Sequence, residues 1–399
     1  MINNISDILT PNNGWHKSIV NTLDTYQYIY GLPIIKKSKK ISNSFYNYCI
    51  KGKYFVVIAL YNSKRDFFIQ KDFLEDNNKW DLVGGWVREE ESFDQALDRI
   101  VSKETGNKLV EAVPVSRVKN KYYTKDNRKV YHEGIAFLGR VLHDSISTQN
   151  GIFTSDVKSL LSKRDLSILK LCKKILEDKV IEPPLEEVDN SHQAYYLTKI
   201  NKNIIKPLSY YLSSRILSRV IIEHAFPQNN TKTKYILDLS CGDDKSILQI
   251  AKKAKLLVAN DISRDIMKSL INSSAQNIIF TNQNLLDLEY KINFDLVICK
   301  NTLHHMRSSE EVELLMKTLK KFSRKRIIIM DIENPNNSFL SKAWNTYYKI
   351  IMKDHGDLFI SFNQFREILK IAFPNSASIY SKRILTIKGY YMLGVIDLL

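Results

Sequence analysis

The sequence has little that would place the protein outside the cell or in a membrane. Its four cysteines, Cys49, Cys172, Cys241 and Cys299, are too far apart for the close pairs of zinc sites and redox motifs. No apolar run approaches the length of a membrane span. The polar residues 1–11 lack the basic start and apolar stretch of a secretory signal. We therefore predict a cytoplasmic protein without a membrane partner.

Basic residues outnumber acidic ones. The 59 Lys and Arg and the 43 Asp and Glu give a formal net charge of +16. Clustered cations attract polyanions, which keeps a nucleic-acid partner as an alternative. The clusters are short, however, and lie at residues 36–40 and 320–326. We favour a solvated, lysine-rich surface and a small-molecule partner. The sequence does not predict the oligomeric state.

A chain of 399 residues exceeds what one hydrophobic core usually organises, so two domains are expected. Two prolines and four acids interrupt the apolar periodicity at residues 180–190. The predicted division is therefore a first domain at 1–180, a linker with a helical lead-in at 181–230, and a second domain at 231–399.

In the second domain, a strand predicted at 235–239 runs through the turn 240–244 into a helix at 245–254. A glycine turn between strand and helix lets backbone approach a ligand. A second strand at 256–261 ends in Asp261, 19 positions after Gly242, where dinucleotide folds bind ribose hydroxyls. Further strand and helix signals alternate up to residue 332 and predict a parallel sheet. Two paired strands near the end, at 377–383 and 388–398, would close it.

From Lys234 to the end, these residues resemble the class I methyltransferases that use S-adenosylmethionine (SAM). Residues 236–244 look like the first motif of that family, and residues 294–306 resemble the fourth. The resemblance implies a Rossmann-like seven-stranded domain that binds SAM. It places Asp261 at the ribose and Asn284 at the adenine. Asp243 or Asp244 could bind the ammonium group of SAM, or they could simply cap the following helix. The predicted cofactor-binding residues are Asp238, Ser240, Gly242, Asp244, Asp261, Ile262, Asn284, Leu285 and Lys300.

Two features of this half bear on the cofactor turn and on catalysis. Ser240 and Asp244 stand where the family usually has glycine, so the turn that would pack on the methionine part of SAM differs from the family's pattern. His304 and His305 follow the fourth strand at the expected ligand edge, and they are the catalytic candidates. They either take a proton from the acceptor or shape its pocket. The insertion at 339–358, with Trp344, Asp354 and His355, could wall that pocket, or it could form an amphipathic helix packed on the sheet.

The methyl acceptor is predicted to be a small molecule, because the fourth motif lacks the Asn/Asp-Pro-Pro-aromatic pattern of methyltransferases that act on nucleobases or glutamine. Two alternatives are methylation of an RNA end or nucleotide conjugate, which the positive charge favours, and a non-catalytic sensor.

The first domain holds a loop, a helix and a loop at residues 80–106, with a capping box at Ser92 and Gln95. The segment resembles the Nudix box, and the surrounding strands fit a Nudix-like α/β/α sandwich with a mixed sheet. The residues that match the box are Gly85, Glu91, Arg99, Val101, Glu104 and Gly106.

Two glutamates of the Nudix box are replaced, by Ile100 and Lys103. In that family the carboxylates on this helix bind magnesium for diphosphate cleavage. A divalent ion prefers several oxygen ligands. We therefore predict neither ordinary diphosphatase activity nor a magnesium site. Arg88, Arg99 and Lys103 suit a phosphorylated ligand, and a purely structural domain is the alternative.

Overall fold

The computed structural model describes residues 13–71, 80–144, 151–157, 160–177, 208–227, 234–272, 277–286, 288–334, 336, 339–347, 356 and 358–399. The chain divides into two compact units, Met1–Ala194 and Tyr195–Leu399. The predicted linker signal at 180–190 lies outside the described residues, so the domain boundaries at 180 and 230 stay predictions. Among the helices that are described, none has the length and apolarity needed to cross a membrane.

The N-terminal unit is built around a mixed sheet. Its strands are β1 (Ile34–Lys40), β2 (Tyr54–Tyr61), β3 (Phe67–Lys71), β4 (Trp80–Asp81), β5 (Val83–Trp86), β6 (Leu109–Tyr123), β7 (Lys129–Val141) and β8 (Gly151–Thr154). Their order is β1-β6-β7-β2-β3-β4, with β5 also paired to β2 and β8 to β3. β1 is parallel to β6 and β2 is parallel to β7, whereas β6 and β7 form a long antiparallel pair.

Helices cover both faces of this sheet, as predicted for an α/β/α sandwich. The helices are α1 (Asn13–Tyr30), α2 (Asn43–Cys49), α3 (Phe93–Thr105) and α4 (Lys163–Glu177). On one face, Tyr26 of α1 makes edge-on ring contacts with Phe93 of α3 and Phe137 of β7. On the other, Ile168 and Cys172 of α4 belong to the core formed by alternate residues of β2 and β7. Every residue of β2 is buried, as expected for a strand covered on both sides.

The Nudix-box helix α3 begins and ends where its sequence predicts. Ser92 accepts a hydrogen bond from the backbone N–H of Gln95, and the Gln95 side chain accepts one from the N–H of Ser92. Gly106 ends the helix at φ 65°, a left-handed conformation that suits glycine. The capping box and the glycine therefore fix both ends of the segment that carries the Nudix residues.

The C-terminal unit has a seven-stranded sheet. Its strands are β9 (Tyr235–Asp238), β10 (Leu256–Asn260), β11 (Ile278–Thr281), β12 (Phe294–Lys300), β13 (Ser323–Ile332), β14 (Ser376–Thr386) and β15 (Gly389–Leu398). The order is β11-β10-β9-β12-β13-β15-β14. The first five strands are parallel, and β15 is antiparallel to both β13 and β14. The predicted Rossmann-like sheet, closed by an antiparallel pair, is confirmed.

Helices α5 (Leu208–Ala225), α6 (Ser246–Ala251), α7 (Arg264–Ile271), α8 (Ser309–Phe322), α9 (Phe339–Tyr347) and α10 (Phe362–Ala372) complete the unit. Apolar residues of α5, α6 and α7 share one core with strands β9 to β13. Strand β13 begins at Ser323, whereas the apolar run that ends at residue 332 predicts a start at residue 326, three residues later. Ser323 pairs with Phe294, but its polar neighbours at 324–326 give no apolar pattern that would reveal a strand.

The packing of β13 against the core predicts a large effect of truncation. Ile328 is fully buried in the middle of this strand. We expect Ile328→Ala to lower the free energy of unfolding by about 2–5 kcal/mol, because it removes buried methyl groups and leaves a cavity. Urea denaturation measures the change. The matched control is Leu314→Ala on the outer face of α8, where the side chain is 43% exposed and the expected change is within about 0.5 kcal/mol. Equal effects at both positions would contradict this packing.

Candidate cofactor and acceptor site

The carboxyl ends of the parallel strands bring most of the predicted site residues to one edge of the C-terminal sheet. Asp238, Asp261 and Lys300 stand at the ends of β9, β10 and β12, and β9 lies between the other two strands. The turn 240–244 follows β9, and His304 follows β12 in a short 3₁₀ helix, Leu303–His305. Sequence positions more than 60 residues apart therefore become neighbours at this edge.

The turn after β9 tolerates the two residues that replace glycine. Within 240–244, all of which the structure describes, a positive φ occurs at Gly242 alone, at 54°. The Ser240 hydroxyl is hydrogen-bonded to the carbonyl of Lys300 and to the Thr302 hydroxyl. Asp244 accepts hydrogen bonds from the backbone and hydroxyl of Ser246 at the start of α6. Both side chains are therefore fixed by neighbouring residues, without strained backbone.

Asp261 is oriented by the backbone around it. One carboxylate oxygen accepts the N–H of Gly242 at 2.8 Å, and the other accepts the N–H of Ser263 at 3.0 Å. Burial raises the pKa of Asp261 to about 6, against the effect of these hydrogen bonds. The predicted ribose acid is thus tied directly to the glycine turn and is ionised at neutral pH.

Two asparagines that sequence analysis missed hold the neighbouring loops. Asn260, fully buried, donates to the carbonyls of Leu239 and Gln283 and accepts from Thr281 and from the N–H of Gln283. Asn282 donates to the carbonyls of Asp261 and Ile262. The polar residue within an otherwise apolar strand was the available signal for Asn260.

The predicted adenine side of the site lies on the loop after β11. Asn284 is exposed, and its side-chain oxygen accepts the N–H of Leu286. Leu285 and Ile262 are both half-buried, on the loops after β11 and β10. The Oδ1 atom of Asn282, two residues before Asn284, is buried and has no hydrogen-bond partner among the described residues. It can accept a hydrogen bond from a ligand at this edge.

A buried ion cluster lies between the first and fourth motifs. The Lys300 ammonium is 2.7 Å from Asp244 Oδ2 and 3.3 Å from Asp238 Oδ2. Asp238 is fully buried, and burial raises its pKa, while the Lys300 charge acts in the opposite direction. The same lysine helps to lower the pKa of Asp244. The predicted residues Asp238, Asp244 and Lys300 therefore form one cluster of ion pairs.

His304 is held by a carboxylate at the end of β13. Its Nδ1 lies 2.6 Å from Asp331 Oδ1. Asp331 also accepts the N–H groups of Thr302, Leu303 and Ile332. Burial works to raise the pKa of Asp331, but its interactions with His304, followed by that with His305, leave it lowered. An ionised Asp331 favours the proton on Nδ1, which leaves Nε2 as the basic nitrogen of a neutral ring.

The segment that follows α9 packs on this histidine. The Leu358 N–H donates to the His304 carbonyl, and the Phe359 ring stacks on the imidazole at 5.7 Å. A Cβ added to Gly356 would lie 2.8 Å from His304 Cδ2. The ring centroids of His304 and His305 are 3.9 Å apart. The insertion predicted to wall the acceptor side is therefore in contact with His304 in its described part; Asp354 and His355 lie outside the described residues.

A second ion pair at this edge had no sequence signal. Glu333, fully buried just after β13, accepts two hydrogen bonds from Arg383 of β14. The Arg383 guanidinium also lies over the rings of Phe362 and Tyr390. The pair links the end of the last parallel strand to the antiparallel edge, beside the His304–Asp331 pair.

In the N-terminal unit, the acids and bases of the Nudix box bind one another. Both carboxylate oxygens of Glu91 accept hydrogen bonds from Arg99, at 2.6 and 2.7 Å, and one also accepts the N–H of Arg88. The Lys103 ammonium lies 2.7 Å from Glu104. Ile100 is buried, and its Cδ1 would lie 3.0 Å from a Cβ added to Gly85. Cations of the chain therefore neutralise the two remaining glutamates.

This arrangement does not fit the magnesium ion of the Nudix family. Glu91 already has charged and backbone donors on its oxygens, and Ile100 offers no ligand atom. Throughout the described part of the chain, no three His, Cys, Asp or Glu side chains are grouped as a metal site requires. The absence of a magnesium site remains a prediction.

Comparison with known proteins gives two family matches. Residues 236–325 match the model of a methyltransferase domain, and residues 51–164 match that of a NUDIX domain. No curated protein matches the chain.

Several similar solved structures are methyltransferases. Magnesium protoporphyrin IX methyltransferase from Synechocystis PCC 6803 with bound SAM is 16% identical, over 53% of this chain and 93% of that chain, with a TM-score of 0.38. N-methyltransferase NodS from Bradyrhizobium japonicum WM9 is 9% identical, over 46% and 95%, with a TM-score of 0.36. The 1,6-didemethyltoxoflavin-N1-methyltransferase of Burkholderia thailandensis is 14% identical, over 47% and 78%, also with a TM-score of 0.36. Likenesses this distant assign no substrate to this chain.

The ion pairs of α3 predict that a metal site can be created by two substitutions. We expect Ile100→Glu/Lys103→Glu to bind Mn²⁺, because it removes the competing ammonium and adds two carboxylates beside Glu104. Electron paramagnetic resonance measures the free Mn²⁺ during titration. The unaltered protein and the single variant Lys103→Glu are the controls, and both should bind weakly or not at all. Tight Mn²⁺ binding by the unaltered protein would contradict the predicted loss of the site.

Proposed function

Because the chain joins a Nudix-like domain to a class I methyltransferase-like domain, we propose that it transfers the methyl group of SAM to a small-molecule acceptor. The observation that carries the proposal is the convergence of Asp238, Gly242, Asp261 and His304 at one edge of the sheet. The same edge is where open α/β sheets bind their ligands. Substrate recognition or a structural role is proposed for the Nudix-like domain.

The residues at this edge fit SAM. The Asp261 carboxylate, ionised at neutral pH, suits the two ribose hydroxyls. Asn282 Oδ1 is a buried acceptor without a hydrogen bond among the described residues, and Asp238 Oδ2 has the Lys300 ammonium 3.3 Å away but outside hydrogen-bond geometry. Each oxygen can therefore take a donor from a bound molecule. Gly242 keeps the turn close to the ligand, while Ile262, Asn284 and Leu285 border the adenine.

SAM supplies a methyl group on a positively charged sulfur, which an acceptor atom attacks in line. The chain's own task is to position the acceptor and take up its proton. We propose that Nε2 of His304 accepts that proton and that Asp331 holds the ring and stabilises the resulting imidazolium. His305, against the same ring, shapes the pocket. This proposal applies to an acceptor with an O–H or N–H group.

The structure favours the small-molecule acceptor over RNA. Part of the basic cluster at 320–326 is neutralised within the unit, since Arg324 and Lys325 lie near Asp295, and Arg326 pairs with Asp397. Fewer uncompensated charges are then available for phosphates. The sensor alternative would apply if SAM binds and no acceptor is ever methylated.

The cofactor assignment predicts binding of S-adenosylhomocysteine (SAH), the product of SAM. We expect micromolar affinity by calorimetry and loss of binding in Asp261→Ala. Affinity should also fall as the pH drops through about 6, because a protonated Asp261 loses one of its acceptors for the ribose hydroxyls. Glu313→Ala, an acid removed from the exposed side of α8, is the control. Failure of the unaltered protein to bind SAH would reject the cofactor.

The proposed base predicts that Asp331 acts through His304. With labelled SAM and fractionated cell extract as the acceptor source, we expect Asp331→Asn and His304→Gln to lower kcat by about 10²–10⁴-fold, the usual range for a general base. The SAH affinity of both variants should remain. A change in KM with kcat preserved would instead assign His304 to pocket shape.

A further inference from the structure

Lys300 carries a positive charge at a buried position, which is unusual for a lysine. It ends the central strand β12 with 5% of its side chain exposed, and it lies between two acids of the first motif. Burying an ammonium costs free energy unless it is paired, and here both partners belong to the first motif, residues 236–244, which is proposed to hold SAM. The lysine is therefore part of the cofactor edge rather than of the apolar core.

The two acids around Lys300 are not equivalent. Asp244 is firmly bonded, because its carboxylate also accepts the N–H and hydroxyl of Ser246. Asp238 is less well satisfied. Its Oδ1 accepts the N–H of Ser240 at 3.3 Å, and its Oδ2, though 3.3 Å from the Lys300 ammonium, has no hydrogen-bond donor in suitable geometry. One buried carboxylate oxygen thus has capacity for another cationic donor.

The charge of Asp238 depends on its neighbours. Burial and the nearby Asp244 carboxylate both disfavour its ionised form, whereas Lys300 favours it. The Cys241 thiol in the same turn stays neutral, since burial raises its pKa well above the ordinary value. Asp261, the other acid close to the turn, is negative and does not help to ionise Asp238. Without Lys300, the surroundings of Asp238 would favour protonation.

We propose that Lys300 is a cofactor-positioning residue that keeps Asp238 ionised, so that Asp238 Oδ2 can bind the ammonium group of SAM. This inference rests on the proposed cofactor. The opposite effect of Lys300 is competition, in which its ammonium occupies the place that the cofactor's ammonium needs. The two effects differ in sign when Lys300 is removed.

The experiment compares two ligands, SAH and 5′-methylthioadenosine, which lacks the amino-acid part. Their affinities are measured by calorimetry from about pH 6.5 to about pH 8.5. This range covers the neutral region in which Asp238 would titrate if removal of Lys300 raised its pKa strongly. The variants are Lys300→Met, Lys300→Arg, which retains the charge, and Lys317→Met, which makes the same change on the exposed face of α8. The ratio of the two affinities removes effects of Asp261, which contacts both ligands.

For Lys300→Met we expect SAH affinity at about pH 7 to fall by about tenfold or more and to recover as the pH rises and Asp238 ionises. Methylthioadenosine affinity should change by less than about threefold. Lys300→Arg should restore SAH binding without the pH dependence, and Lys317→Met should match the unaltered protein.

Unchanged or tighter SAH binding by Lys300→Met would overturn the proposal, as would equal loss of both ligands. If that variant does not fold, Asp238→Asn provides the second test, because it should weaken SAH at every pH and spare methylthioadenosine. An unchanged SAH affinity there would also overturn the proposal. If the unaltered protein binds neither ligand, the cofactor assignment itself fails. Binding by the unaltered protein with no effect of Lys300→Met rejects the role of the lysine alone.

Discussion

Parallel pairing of β9 with β10 and β12 is the constraint on which the C-terminal unit depends. Parallel strands all end at the same edge, so every residue that follows a strand is delivered to one surface. Because β9 lies between β10 and β12, its glycine turn is placed between Asp261 on one side and Lys300 on the other. Asn260 then fixes the loops after β9 and β11 through four hydrogen bonds. The edge is thereby prepared for a ligand by backbone geometry and buried polar contacts.

Burial of charge is the second theme of this edge. Asp238, Asp331 and Glu333 are all buried, and each has a cationic or ionisable partner in the same unit. Such pairs add little to stability compared with apolar packing, but removal of one partner leaves an uncompensated charge. Their value here is orientation. Asp331 fixes the His304 ring, and Glu333 fixes Arg383 beside it.

The N-terminal unit keeps the Nudix architecture, and cations of the chain lie on the two matching glutamates of its box. The helix α3 retains its caps, its apolar face and its Arg99–Glu91 pair, which are the features that hold the fold together. The substitutions fall on the side that a metal would use, where Lys103 brings its own positive charge and Ile100 fills space beside Gly85. We therefore predict that the domain keeps its shape without the full set of oxygen ligands that a metal requires.

The fold class of both units could be predicted from the sequence. The site residues stay predictions, although the structure brings most of them to one edge of the C-terminal sheet. Apolar strands, capping residues and glycine turns act locally, so the ends of α3 and the turn at Gly242 were predictable. Strand β13 was predicted three residues too short, because its polar start carries no periodic signal. The contacts that these site residues make within the fold could not be predicted from the sequence. Asp331, Glu333, Asn260 and the contacts of Lys300 with two acids depend on chain segments that are distant in sequence, and only the sheet order brings them together. Whether the turn accepts Ser240 and Asp244 in place of glycine likewise depends on tertiary structure. It requires a backbone without positive φ at both positions and neighbouring groups that bond their side chains.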